Sequence, residues 1–453
     1  MRREFTGRVD LGSPQANPMT RSGRATGFAD KSTHRVGTTR LPPLYVTDVG
    51  LIGSLGLAIL FVINPSGLPF ERIAITKHLP MLFGATSLLI AVCAAALQPG
   101  QRDLKRTAGL FRLSMPLVLL AGWIIAGSLY ARFIENVPDT FLTIGIYMLA
   151  APGLALYVVC SPARWRVVDL YMRCLSWAAA FMILVMLAEH VATGGYYHEL
   201  EFLVVPVSVY HALRPGSVSR KVVLTSFYLF GGLVFLKLTG FIALGVALIY
   251  LWVVDWRVRF VQSGDFRRWA RRVMVFAALA SISVLAILLR HHASVGPDGN
   301  LGYRMVTYSN AIHRFLSSPL YGASFDTSST KLFTGFEVDA AHGHLPTHSD
   351  LLDLAANGGL LAVALLTWGY ARIGAYARKT ILSTRANDDR SAAAHTLVCM
   401  TLTGVLVYAF NPILLEPDRA LLLWASTGIL LGMAICHAQG KVPTTRKNTE
   451  DSR

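Results

Sequence analysis

The sequence predicts an all-α polytopic membrane protein. It has about twelve transmembrane helices, with one long, partly helical extracytoplasmic loop between the ninth and the tenth. Three observations carry that prediction. Apolar residues make up 53% of the 453-residue chain and charged residues only 15%, where a soluble chain carries about 25%. The apolar residues gather in repeated runs close to the roughly 20 needed to cross the hydrocarbon. The cations lie between those runs in alternate loops, the pattern that positive-inside topology produces. No strand-and-turn pattern accompanies the runs, so the crossings are read as helices, which satisfy their own backbone groups where there is no water.

Taken in chain order, residues 1–43 are polar and rich in Arg, Ser, Thr and Gly. They contain no apolar core with a cleavage site and read as a disordered, basic cytoplasmic tail. Transmembrane helices 1–9 are expected within 44–290, at about 48–66, 79–97, 112–131, 140–160, 167–189, 200–213, 222–237, 239–255 and 272–290. The sixth is short and contains Pro206, and the seventh and eighth nearly touch at Lys237–Gly240. The extracytoplasmic loop occupies 291–350. Helices 10–12 are expected within 351–437, at about 351–370, 393–411 and 418–437, and 438–453 form a second cytoplasmic tail.

The loops give the sidedness. Cationic sets (Lys105 and Arg106; Arg164 and Arg166; Arg214, Arg220 and Lys221; the dense group from Arg257 to Arg272; Arg372 to Arg390; Lys441 to Lys447) alternate with acidic or mixed ones around Glu135, Glu199 and Glu416. Twelve crossings with both termini in the cytoplasm fit this alternation. The same distribution answers the net charge of +16. It belongs to topology, and no nucleic-acid partner is expected. All five cysteines lie in or beside apolar runs without C-x-x-C spacing and read as small buried apolar residues.

A loop as long as 291–350 is uncommon unless it is functional. Tyr303–Leu316 has helical periodicity with Met305, Tyr308, Ile312 and Phe315 on one face, and Ser317–Gly322 breaks it. Beyond it, "HGHLPTHSDLLDLAANGGLL" collects His342, His344, His348, Asp350 and Asp353 at the start of the tenth apolar run. The H-x-H-x-x-x-H spacing suggests zinc, but Pro346 interrupts any helix aligning His344 with His348. The reading is therefore no metal and no cofactor. Ser349 or Asp350 suits a helix cap, which leaves the histidines without a structural explanation. Arg304 and Arg314 are not needed for topology on an outer loop, and a guanidinium there can grip a phosphate. Lys237 in "VFLKLTGFIALGV" is an ionisable group in apolar surroundings, read either as functional or as snorkelling to the interface. Asp169 and Arg173 have the spacing of a helical ion pair.

Two stretches resemble the bacterial O-antigen ligase and O-antigen/exopolysaccharide polymerase family. "YRMVTYSNAIHRFLSSPLYGASF" supplies Arg304, Tyr308, Ala311, Pro319, Leu320 and Gly322 to that family's first motif. "THSDLLDLAANGGLLAVALL" supplies His348, Ser349, Leu352, Asp353, Gly359 and Leu360 to its second. Ser349 stands where the family often has Asn, Asp353 where it often has Gln, and Lys237 in "LKLTG" where it carries Ser-Arg-Gly or Ser-Lys-Thr. The resemblance implies a metal-independent glycosyltransferase of the bacterial cytoplasmic membrane. Such an enzyme takes a glycan from undecaprenyl diphosphate and passes it to a sugar hydroxyl outside the cytoplasm. His348 would be the general base, Arg304 the cation on the departing diphosphate and Asp350 an orienting or sharing carboxylate. Lys237, Arg314, His344 and Tyr308 would bind substrate. Partners would be the lipid-linked glycan, membrane lipids, and a flippase and chain-length regulator of a polysaccharide pathway. A polymerase is the leading expectation, a ligase using lipid A core as acceptor the next, and a transporter or flippase the alternative of a different class.

Overall fold

The computed structural model describes, with short interruptions, residues 48–55, 82–93, 104–135, 141–193, 201–234, 238–260, 300–325, 349–381, 388–408 and 417–439. The expected ninth span at 272–290 and the tail at 1–43 lie outside them. Contacts divide the chain into 1–41 and 42–453, and all the described helices belong to the second unit. Every regular element among the described residues is a helix. Numbered from residue 104, they are α1 (Leu104–Phe133), α2 (Leu142–Met148), α3 (Ala150–Cys160), α4 (Arg164–Thr193), α5 (Glu201–Val204), α6 (Val207–Leu213), α7 (Val218–Val234), α8 (Leu238–Phe260), α9 (Asn300–Ser317), α10 (Asp350–Ile381), α11 (Asp389–Val407) and α12 (Pro417–Gln439). Among the described residues, six segments are long and apolar enough to cross a membrane: Thr107–Phe133, Leu142–Cys160, Arg164–Ala188, Asp350–Tyr376, Asp389–Val407 and Arg419–Cys436. Gly240–Val254 is apolar but shorter.

Prolines account for the breaks. The fourth expected run is divided into α2 and α3 at Leu149, because Pro152 has no N–H to return to Met148. The sixth is divided at Pro206, and the Val205 carbonyl just before it accepts from both Ser208 N (3.0 Å) and Ser208 Oγ (2.6 Å). At the start of α11, Asp388 accepts from Arg390 N at 2.9 Å and caps the helix.

At the centre stands α12, buried on nearly all sides. It packs most extensively on α3. The contact is a seam of small residues, Gly428-x-x-x-Gly432 on α12 against Ala151-x-x-x-Ala155 on α3. A Cβ on Gly428 would come within 2.5 Å of the Ala151 carbonyl oxygen, and one on Gly432 within 2.7 Å of Val158 Cβ and 3.0 Å of the Ala155 carbonyl oxygen. In lipid no hydrophobic force drives helices together, so this close backbone approach and its dispersion energy do that work. Buried hydroxyl pairs cross-link the same core: Tyr171 with Ser426 at 2.7 Å and Tyr370 with Tyr408 at 3.0 Å.

Side-chain contacts sort the helix ends. Arg164 at the start of α4 donates to Cys436 at the end of α12 (3.5 Å). Arg390 at the start of α11 lies 4.6 Å over the Trp165 ring. Arg214, after α6, pairs with Asp389 at 3.0 Å. Gly109 in α1 lies against Ile435, and Tyr157 near the end of α3 donates to the buried Asp48 at 2.6 Å. These basic ends are therefore gathered at one end of the bundle. The Asp169–Arg173 ion pair, 2.7 Å, forms as its spacing predicts. The cysteines divide: Cys399 and Cys436 are buried, but Cys93 and Cys174 are exposed, a correction to the reading of all five as buried.

Replacing Gly428 with Val forces a branched side chain into the Ala151 backbone. The expected cost is about 1–3 kcal/mol, read as a lowered melting temperature in detergent. Gly122→Val, where nothing lies within 4 Å of the added Cβ, is expected to leave it nearly unchanged.

Candidate functional site

Away from the basic ends, α9 packs on α10. Helix α9 confirms the expected helix and extends it to Asn300–Ser317, but its buried face differs from the expected one. Thr307 and Ala311 are buried, with Arg304, Tyr308, Arg314 and Phe315 half-buried around them. Of the expected apolar face, Tyr308 and Phe315 are half-buried, while Ile312 is 47% exposed. The helix chose a narrow face of small residues because those allow close approach to α10.

After α9 the chain turns at Ser318–Tyr321 and docks on the middle of α10, backbone to backbone. Leu360 N donates to Pro319 O at 2.8 Å, Leu361 N to Leu320 O at 3.2 Å, and Ala323 N to Ala356 O at 3.0 Å. The docking exists because α10 is broken. Gly359 has φ 67° and ψ −168°, a region open essentially to glycine alone. The N–H groups beyond the break lose their helical acceptors, and the 319–320 carbonyls replace them. Gly322 also has positive φ, 80°. A Cβ there would collide with the Asn357 carbonyl, and one at Gly359 would come within 2.5 Å of Gly322 N and Leu320 O. The two motif-bearing stretches of the sequence are thus one joint: Pro319, Leu320 and Gly322 meet Gly359 and Leu360. The span expected at 351–370 lies within the candidate crossing Asp350–Tyr376, with this break inside it, and "NGG" at 357–359 was the signal for the break.

The half-helix before the break carries the acidic residues. Ser349 Oγ accepts from Leu352 N at 3.4 Å and is the cap, one of the two candidates named for it. Both Asp350 and Asp353 lie in the first turn, where a helix N-terminus favours negative charge. Both ends of the half-helix meet the same turn of α1. Trp123 Nε1 donates to Gly358 O at 3.3 Å, while Asp350, Asp353 and Leu354 line a cavity with Ile124, Phe141, Ile144 and Phe325. The half-helix therefore lies across α1. The cavity, about 20 Å³, has room for one water, and Asp350 (2% exposed) lines it.

Phe325 closes the joint. It is buried, with Trp123 and Phe141 ring centroids 6.1 and 6.3 Å away at edge-to-face angles. Its carbonyl accepts from Phe141 N at 3.4 Å. Gly127 and Gly358 give its ring room. Sequence reasoning missed Phe325, Trp123 and Asn357. Asn357 is 1% exposed, donates through Nδ2 to Asp353 O at 2.7 Å, and its Oδ1 has no partner among the described residues. Only the Asn-Gly-Gly pattern pointed toward it.

Of the predicted site residues, Arg304, Tyr308 and Arg314 lie half-buried on α9, while Asp350 and Asp353 lie in the first turn of α10. His342, His344, His348 and Lys237 lie outside the described residues. No group of His, Cys, Asp or Glu able to hold a metal occurs among the described residues. No family model matches the chain, and no curated protein matches it.

Gly359→Ala is expected to destabilise the protein by about 1–3 kcal/mol, measured by thermal unfolding in detergent. Gly374→Ala, on the same helix with nothing within 4 Å, is expected to be neutral or slightly stabilising.

Proposed function

We propose that this protein is a membrane glycosyltransferase of the polysaccharide-polymerase type, joining a glycan carried on undecaprenyl diphosphate to an acceptor sugar hydroxyl. One observation carries the reading. The two loosely matching motif segments, separated by 21 residues of chain, form a single backbone joint around Gly322 and Gly359. The glycines and proline of the resemblance have a shared physical purpose at that joint, which ties the helix carrying Arg304 and Tyr308 to the one that begins at Asp350. The gathering of the basic helix ends at the other end of the bundle supports an outward-facing site; twelve crossings with both termini in the cytoplasm belong to the same proposal.

In this mechanism the acceptor oxygen bonds to the anomeric carbon while the bond from that carbon to the diphosphate oxygen breaks. The diphosphate leaves with the electron pair, and fixed guanidinium charge offsets what develops there. Arg304 takes that role, with Arg314 and Lys237 as further phosphate contacts. The hydroxyl proton passes to His348, since an imidazole suits proton transfer near neutrality. Tyr308 and His344 help hold the sugar. The water-sized cavity makes Asp350 a positioning residue. It sits two residues from His348 and acts through a water or the helix start.

A ligase shares this chemistry with a different acceptor. The transporter or flippase reading gains one specific observation, the broken helix α10, since transporters place substrates at half-helix ends. The described ion pairs, Asp169–Arg173 and Arg214–Asp389, lie at helix starts and loops rather than inside the bundle.

In cells, Arg304→Ala is expected to insert normally, to lower surface polymer synthesis about 100- to 1000-fold, and to build up lipid-linked repeat units on the outer leaflet. His348→Ala is expected to lower synthesis by about 100-fold or more. Wild-type polymer from either variant removes that residue from the mechanism. Repeat units trapped on the inner leaflet instead favour the flippase.

A further inference from the structure

The outward side of α9 and the turn after it form an apolar patch that the transferase reading leaves unused. Ile312 and Leu316 on α9, and Leu320 and Tyr321 in the turn, are 47%, 65%, 59% and 61% exposed. None of the four carries a charge. An outer loop standing in water has no reason to present four large apolar side chains side by side. Their neighbours show what covers them. The bonds from Leu360 N to Pro319 O and from Leu361 N to Leu320 O place the turn beside Leu360 and Leu361, which are themselves exposed. Those two begin the outward stripe of α10, which continues through Ala364, Thr367, Trp368 and Ala371, all exposed. On a helix long and apolar enough to cross a membrane, such a stripe faces lipid. The α9 patch continues that surface around the corner of the joint. The adjoining flank of α9 differs: His313 and Ser317 are exposed and turned about 100° from Ile312 and Leu316 respectively. The helix is therefore amphipathic in the sense of one lying at a bilayer surface, and Tyr321 has the amphipathic ring favoured at that depth.

We propose that α9 lies in the interfacial layer of the bilayer, with Ile312, Leu316, Leu320 and Tyr321 seated in lipid. The inference does not rest on the transferase reading, because a transporter with this fold would seat the same patch. It sets the height of the site: Arg304 and Arg314, half-buried on the inner flank of α9, then stand at the level of lipid phosphates and not in the aqueous space beyond.

The test uses the wild-type full-length chain in phosphatidylcholine vesicles, photolabelled in parallel with an acyl-chain diazirine lipid and a water-soluble diazirine, with adducts mapped by mass spectrometry. The lipid probe is expected to label Leu316, Leu320 and Tyr321 within about threefold of Leu360–Trp368, and Ser317 at least tenfold less. The water-soluble probe is expected to show the reverse preference. Labelling of the patch by the water-soluble probe alone overturns the proposal. So does protection from both probes, which would mean that a second copy or another protein covers it.

Discussion

A broken helix inside lipid must find new partners for the backbone groups it frees, and in this protein one joint meets that demand. Gly359 interrupts α10, and the N–H groups of Leu360 and Leu361 then donate to Pro319 and Leu320. Each such group left unsatisfied in hydrocarbon would cost several kcal/mol, so the turn after α9 is bound to this place. The rest of the site is built around it. The half-helix from Asp350 lies across α1, Phe325 fills the angle beneath Trp123 and Phe141, and α9 runs beside α10 with Arg304, Tyr308 and Arg314 on its flank.

The joint needs a rigid frame, and the α3–α12 seam supplies one. Small residues at four-residue spacing on both helices bring the backbones into contact, which fixes α12 at the centre of the bundle. Hydroxyl pairs between Tyr171 and Ser426 and between Tyr370 and Tyr408 then set the register among neighbouring helices. Both devices suit a solvent in which apolar side chains gain little by leaving lipid for one another.

Chemically, the two arms of the joint differ. Helix α9 carries guanidinium groups, while the start of α10 carries carboxylates at a helix N-terminus beside a cavity the size of one water. The seating of α9 at the membrane surface would bring the guanidiniums to the depth where a lipid-linked phosphate resides.

The helical membrane class was legible in the sequence, because hydrophobic run length and charge spacing reflect the bilayer directly. Local devices were legible too: the helix at 303–316, its stop before Gly322, the Asp169–Arg173 pair and a cap at Ser349 or Asp350. Each of these depends on residues within a few positions of one another. The inner face of α9, the break at Gly359, the plug of Phe325 between Trp123 and Phe141, and the meeting of 319–323 with 356–361 were decided only in three dimensions. Hydrophobic periodicity grouped Tyr308, Ile312 and Phe315 on one face. The fold buries Thr307 and Ala311 and leaves Ile312 exposed, because which face a helix buries is set by the shape of what it meets.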